Sequence, residues 1–154
     1  MILIQKNLEF EITESVFISS EKCAERVINY FKNLGITIAL DDFGTGYSAL
    51  SFLQYNHMNI LKIDKAFVDK ILITDPNKSL VELIISMAHK LGMEVVAEGV
   101  EEKKQVEYLM KHNCDYFQGY LFARPLAIDS VLDLLNDMHR GRQDIKYLYE
   151  YNLE

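Results

Sequence analysis

Five carboxylates and one lysine stand where successive apolar runs of this 154-residue sequence give out: Glu11, the adjacent Asp41 and Asp42, Lys62 followed by Asp64, and Glu98. One such acid alone reads equally well as a solvated loop residue. A series of them, from strand after strand, is what a site at the C-terminal mouth of a (β/α)₈ barrel requires. Oxygen donors in that number suit a hard divalent cation such as Mg²⁺ or Mn²⁺. His57, His89, His112 and His139 show no ligand spacing, so a zinc–histidine centre is not expected. Asp41 and Asp42 are neighbours, and in a regular strand they would point to opposite faces. For both to serve metals, the strand must end there. Phe43-Gly44-Thr45-Gly46-Tyr47 agrees, reading as a tight turn whose glycines permit positive φ and close backbone approach.

The elements that would position these groups alternate between two hydrophobic periods. Leu8 to Thr13 is a period-2 strand, with Leu8, Phe10 and Ile12 on one face and Glu9 and Glu11 on the other. A helix from Glu21 to Leu34 follows, capped by Ser19 or Ser20 and closed by Gly35. Ile36 to Asp41 reads as a strand, Ser48 to Gln54 as a short helix and Asn59 to Ile63 as another strand. Asp75 and Pro76 open a helix whose stripe runs from Leu80 to Leu91, with Gly92 at its end. Met93 to Glu98 is a strand, Glu102 to His112 a helix, Tyr116 to Phe117 a short strand and Asp129 to His139 a last helix. From Arg140 the tail is polar and tyrosine-rich, so residues 1–139 and 140–154 are read separately. Strand–helix alternation implies a parallel sheet. The length favours an open doubly wound sheet, since a full barrel takes about 250 residues. The placement of the polar residues favours the barrel.

Composition narrows the function. With 16 Lys and Arg against 23 Asp and Glu, the formal charge is −7, which argues against DNA or RNA as a partner. The longest apolar-leaning stretch, Leu80 to Ala97, is interrupted by Glu82, His89, Lys90 and Glu94, and Met1 to Ile4 is too short for a signal sequence. Cys23 and Cys114 fit neither a disulfide framework nor a zinc spacing and read as reduced thiols. The expectation is a cytoplasmic protein without membrane contact.

Five motifs in order make the chain recognisable: Glu11-Ile12-Thr13-Glu14, Asp41 through Ser48, Leu61-Lys62-Ile63-Asp64, Ala97-Glu98-Gly99-Val100-Glu101, and Gln118-Gly119-Tyr120 with Pro125. From about Leu8 to about Leu135 the chain closely resembles the C-terminal part of an EAL domain, the bacterial phosphodiesterase module that linearises cyclic di-GMP. The resemblance implies a truncated (β/α)₈ TIM-barrel-like fold of four to five strands. It implies metal-ligand roles for Glu11, Asp41 and Asp42, catalytic roles for Lys62 and Glu98, and supporting roles for Glu14, Glu101 and Gln118. Glu14 would anchor the loop after Asp42, Glu101 would be a supporting or second-site acid, and Gln118 would orient the site. Lys62, set among acids, is expected to stay protonated and act through its charge. Mg²⁺ or Mn²⁺ and cyclic di-GMP are the implied cofactor and ligand.

The Glu-Ala-Leu motif, its nearby arginine and the asparagine metal ligand of the family are not in this sequence. The expectation is therefore a C-terminal portion that is inactive alone and binds metal weakly. A barrel that cannot close leaves an open strand edge, so a homodimer is also expected. The alternative is a non-catalytic module that senses cyclic di-GMP or engages a partner protein. A phosphoacceptor receiver domain also uses an acidic pair and a lysine, but there the pair opens the first strand and the lysine comes late. Here Lys62 arrives only 20 residues after Asp42.

Overall fold

The computed structural model describes residues 8–13, 21–44, 58–73 and 80–139. Among these residues five strands are present: β1 (Glu9–Thr13), β2 (Thr37–Phe43), β3 (Ile60–Ile63), β4 (Glu94–Ala97) and β5 (Tyr116–Phe117). The helices are α1 (Glu21–Asn33), α2 (Lys65–Val68), α3 (Leu80–Lys90), α4 (Lys103–Lys111) and α5 (Ile128–His139). The strands form one sheet in the order β1-β2-β3-β4-β5, every pair parallel. A doubly wound sheet reverses its order at a switch point. This one never does, so the consecutive order is that of a barrel segment.

The period-2 reading of β1 fits its register. Glu11 lies beside Ala39 and Thr13 beside Asp41. On the other face, Leu40, Leu61, Ile63, Val95 and Ala97 form one core with Ala24 and Ile28 of α1, Val81, Ile85 and Ala88 of α3, and Val106 and Leu109 of α4. The stripe expected on α1 packs through Ala24 and Ile28, while Val27 is exposed. On α3 the expected stripe is only partly right: Ile84 and Ala88 pack together with Val81 and Ile85, whereas Leu80 and Leu83 are 55 and 65% exposed. Phe10 is 40% exposed but not bare, since its ring stacks on Phe31 at 4.4 Å. The short α2 was not expected. Asp64 caps it by accepting the Ala66 N–H at 2.8 Å, a role its position before a helix could have announced.

One expectation needs correcting. The strand expected to stop at Asp41 continues to Phe43. The pairing of β2 with β3 shifts between Leu40 and Phe43, and Asp42 has φ of 55°. A bulge with its residue in the left-handed region, which aspartate tolerates, re-aims Asp42 without ending the strand.

Of the remaining expectations, Glu14, the helix at Ser48 to Gln54, the caps at Ser19, Ser20 and Asp75, and the tail 140–154 lie outside the described residues. Cys23 is exposed and Cys114 buried, both free. Among the described residues no helix is long and apolar enough to cross a membrane.

Candidate functional site

Lys62 sits on β3, every residue of which is buried, and is itself 5% exposed. A lysine that deep requires partners. Strand register supplies them from three other elements. The ammonium donates to Glu11 Oε1 of β1 at 2.6 Å, lies 2.7 Å from Glu98 Oε1 just beyond β4, and is 3.6 Å from Asp41 Oδ1 of β2. Burial alone would lower the lysine pKa. Hydrogen bonds to Glu11 and Glu98, with the charges of Glu98 and Asp41, outweigh it and hold the ammonium well above its ordinary range. The direction is the one expected of Lys62 from its acidic neighbours.

The acids respond to the same setting. Burial raises the Glu98 carboxyl above its usual value, against the pull of Lys62, with Asp41 and Glu11 adding to the rise. Asp42 is raised first by burial and then by Asp41 and Asp64. Its backbone N–H donates to Asp41 Oδ1 at 3.0 Å, so the bulge is held by the neighbouring carboxylate. Because of the bulge, Asp41, Asp42 and Glu98 bring carboxylate oxygens within 4.8 Å of one another. Three hard oxygen donors, none of them soft, make a set that fits Mg²⁺ or Mn²⁺. Glu11, expected among the metal ligands, and Glu98, expected as a catalytic base, both give an oxygen to Lys62, but of the two only Glu98 also joins the aspartate pair.

The loop after β4 is built to present Glu98. The Glu98 N–H donates to Ile63 O at 3.0 Å, and Val100 N–H to Gln118 O at 3.0 Å. Gln118 contributes through its backbone, its N–H also donating to Ala97 O at 2.8 Å, while its side chain is exposed. Gly119 lies so close to Val100 that a Cβ would sit 2.1 Å from the Val100 carbonyl oxygen. Gln105, 3% exposed, takes the Glu101 and Glu102 N–H groups on its Oε1 at 2.8 and 2.9 Å and donates from Nε2 to Val68 O at 3.3 Å. The spacing Glu102-x-x-Gln105 is that of a capping box, a signal passed over in reading the sequence. Glu101 itself pairs with Lys65 at 3.1 Å.

Two histidines among the described residues lie elsewhere. His89 and His112 wall a cleft of about 470 Å³ between α3 and the C-terminal end of α4, lined by none of the residues around Lys62, and His89 Nε2 lies 2.8 Å from Asp115.

Comparison with known proteins places this arrangement among relatives. The EAL domain family model matches residues 2–125. The cyclic di-GMP phosphodiesterase NbdA of Pseudomonas aeruginosa is 37% identical over 128 residues, which are 83% of this chain and 16% of that protein. The structure of EAL enzyme Bd1971, cAMP and cyclic-di-GMP bound form, superposes with a TM-score of 0.82 at 37% identity, over 86% of this chain and 35% of that one. The Klebsiella pneumoniae BlrP1 manganese/cy-diGMP complex gives 0.74 at 33% identity, over 80% and 31%. The chain therefore spans under a fifth of that curated relative and about a third of these solved chains.

Proposed function

The chain belongs to the EAL domain family, and from that membership we propose that it forms the C-terminal part of a metal-dependent site that opens cyclic di-GMP to the linear dinucleotide. One observation carries the reading: a buried lysine shared by carboxylates of three strand ends, with Asp41, Asp42 and Glu98 close enough to hold one cation. NbdA is named a cyclic di-GMP phosphodiesterase, and BlrP1 was solved with manganese and cy-diGMP, which supports the same ligand and a divalent ion here.

In this reading Asp41 and Asp42 would hold Mg²⁺ or Mn²⁺, with Glu98 at the third corner of the site and Glu11 held on Lys62 at its edge, and the ion would supply charge that polarises the phosphodiester. Lys62 stays an ammonium and stabilises negative charge developing on the phosphoryl oxygens. Glu98, its carboxyl raised by burial, is the base that accepts the proton of the attacking water. Gln118 and Glu101 keep the β4–α4 loop in place through the contacts described above, and Glu14 anchors the loop after Asp42.

The isolated chain is proposed to be inactive, because the Glu-Ala-Leu segment and the asparagine ligand are not in its sequence. Losing one transition-state electrostatic donor costs about 10²–10³-fold. The assay is chromatographic detection of the linear dinucleotide from pure chain, Mn²⁺ and cyclic di-GMP. No product above buffer is expected. Turnover lost in Lys62→Ala would show instead that the site is complete in this chain or in its assembly. Cyclic di-GMP binding without metal dependence would favour the sensing-module reading.

We also propose self-association. Among the described residues β1 is an edge strand, and Ile128, Leu132 and Leu135 form a stripe on α5 that is 76, 52 and 48% exposed. Light scattering over a dilution series is expected to show a dimer. A monomer at every concentration would contradict it.

A further inference from the structure

We propose that Lys65 is a positioning residue, clamping the β4–α4 loop so that Glu98 stays in register against Lys62. Two ion pairs run side by side here. Lys62 meets Glu98 at 2.7 Å, and three residues further along both segments Lys65 meets Glu101 at 3.1 Å. The second pair ties the start of α2 to the loop just as the first ties β3 to its root.

The clamp has more than one contact. The Lys65 ammonium also meets Asp69 Oδ1 at 2.8 Å and the Gly99 carbonyl oxygen at 3.4 Å. The lysine stem lies across Gly99, so that a Cβ there would be 2.4 Å from Lys65 Cγ. Gly99 has φ of +65°, which glycine adopts without strain. Glycine therefore serves twice, for the left-handed turn and for the lysine laid over it. Glu98 is the residue immediately before this turn. A loop free to rotate about Gly99 would carry the Glu98 carboxylate away from Lys62 and from the two aspartates.

Lys65 and Glu101 are 43 and 48% exposed, and surface ion pairs add little to global stability. A clamp therefore predicts a local effect where a merely structural residue predicts a global one. The proposal deepens the metal-site reading and rests on it for one of two readouts. Amide hydrogen exchange is measured on the parent, Lys65→Met and Lys65→Arg. Methionine keeps the stem and removes the charge; arginine keeps a cation. In Lys65→Met the amides of residues 98–102 are expected to exchange about fivefold faster, with β3 and α3 unchanged. Its Mn²⁺ affinity, by titration calorimetry, is expected to fall about tenfold, the usual scale for losing an outer support. Lys65→Arg is expected to restore both. Parent-like exchange at 98–102 in Lys65→Met, exchange accelerated everywhere alike, or an arginine variant no better than methionine would each overturn the clamp. A parent that takes up no Mn²⁺ would overturn the metal reading, and exchange would then decide the clamp by itself.

Discussion

Replacing Lys62 with methionine removes the one cation that three carboxylates share while keeping the volume of its stem. Taking one partner from a fully buried pair costs about 3–5 kcal/mol. Here the discount is partial: Glu11 is 49% exposed, whereas Asp41 and Glu98 are 20 and 18% exposed. A destabilisation of about 2–3 kcal/mol at pH 7.5 follows, or about 4–12 °C in Tm for a chain of this size. The pH dependence is the sharper test. Lys62 has its folded pKa raised, so its contribution is fully present below the unfolded lysine value and constant through neutral pH. Glu98 is a carboxyl with a raised folded pKa, so the folded state binds its proton more readily than the unfolded chain does. Without Lys62 that preference grows, because the ammonium was holding it down. Acidification therefore favours folding of the variant more than that of the parent, through Glu98. Urea unfolding at pH 7.5 and pH 5 should show the gap narrowing. A gap that stays constant or widens, or a variant as stable as the parent at pH 7.5, would refute the reasoning.

Three further outcomes follow from the packing. Gly119→Ala would drive a Cβ into the Val100 backbone, whose N–H and carbonyl both carry hydrogen bonds, and a loss of about 3 kcal/mol or more by urea unfolding is expected. Gly99→Ala meets a bendable lysine stem rather than backbone, so about 1–2 kcal/mol is expected, chiefly for the positive φ. Burial pushes the Cys114 thiol up to about 11, and it lies in the core while Cys23 is exposed. Iodoacetamide at pH 8 should therefore label Cys23 at least about tenfold faster, read by peptide mass spectrometry.

Much of the fold was legible because each signal was local. Period-2 alternation marked β1, helical stripes marked α1 and α3, and Gly35 and Gly92 marked their ends at positive φ. The path of β2 was not legible. Whether Asp41-Asp42 ends a strand or bulges within it depends on the β3 register, which no local pattern encodes. The residues of the site could be named from their positions at strand ends, but not their pairing. That Glu98 reaches both Lys62 and the aspartates while Glu11 reaches Lys62 is set by which strands are neighbours and how each loop bends. Lys65 escaped notice for a related reason. Exposed lysines are common, and its contacts with Gly99 and Glu101 exist only once β3 and β4 are side by side.

The central claim is that the strand ends around Lys62 hold a divalent cation. Substoichiometric Mn²⁺ added to isotopically labelled chain tests it directly, because the paramagnetic ion broadens the amide signals nearest to it. The account predicts broadening confined to Asp41, Asp42, Glu98 and their neighbours, and its loss in Asp41→Asn. Broadening centred on His89 and His112, or none at any Mn²⁺ concentration, would contradict it.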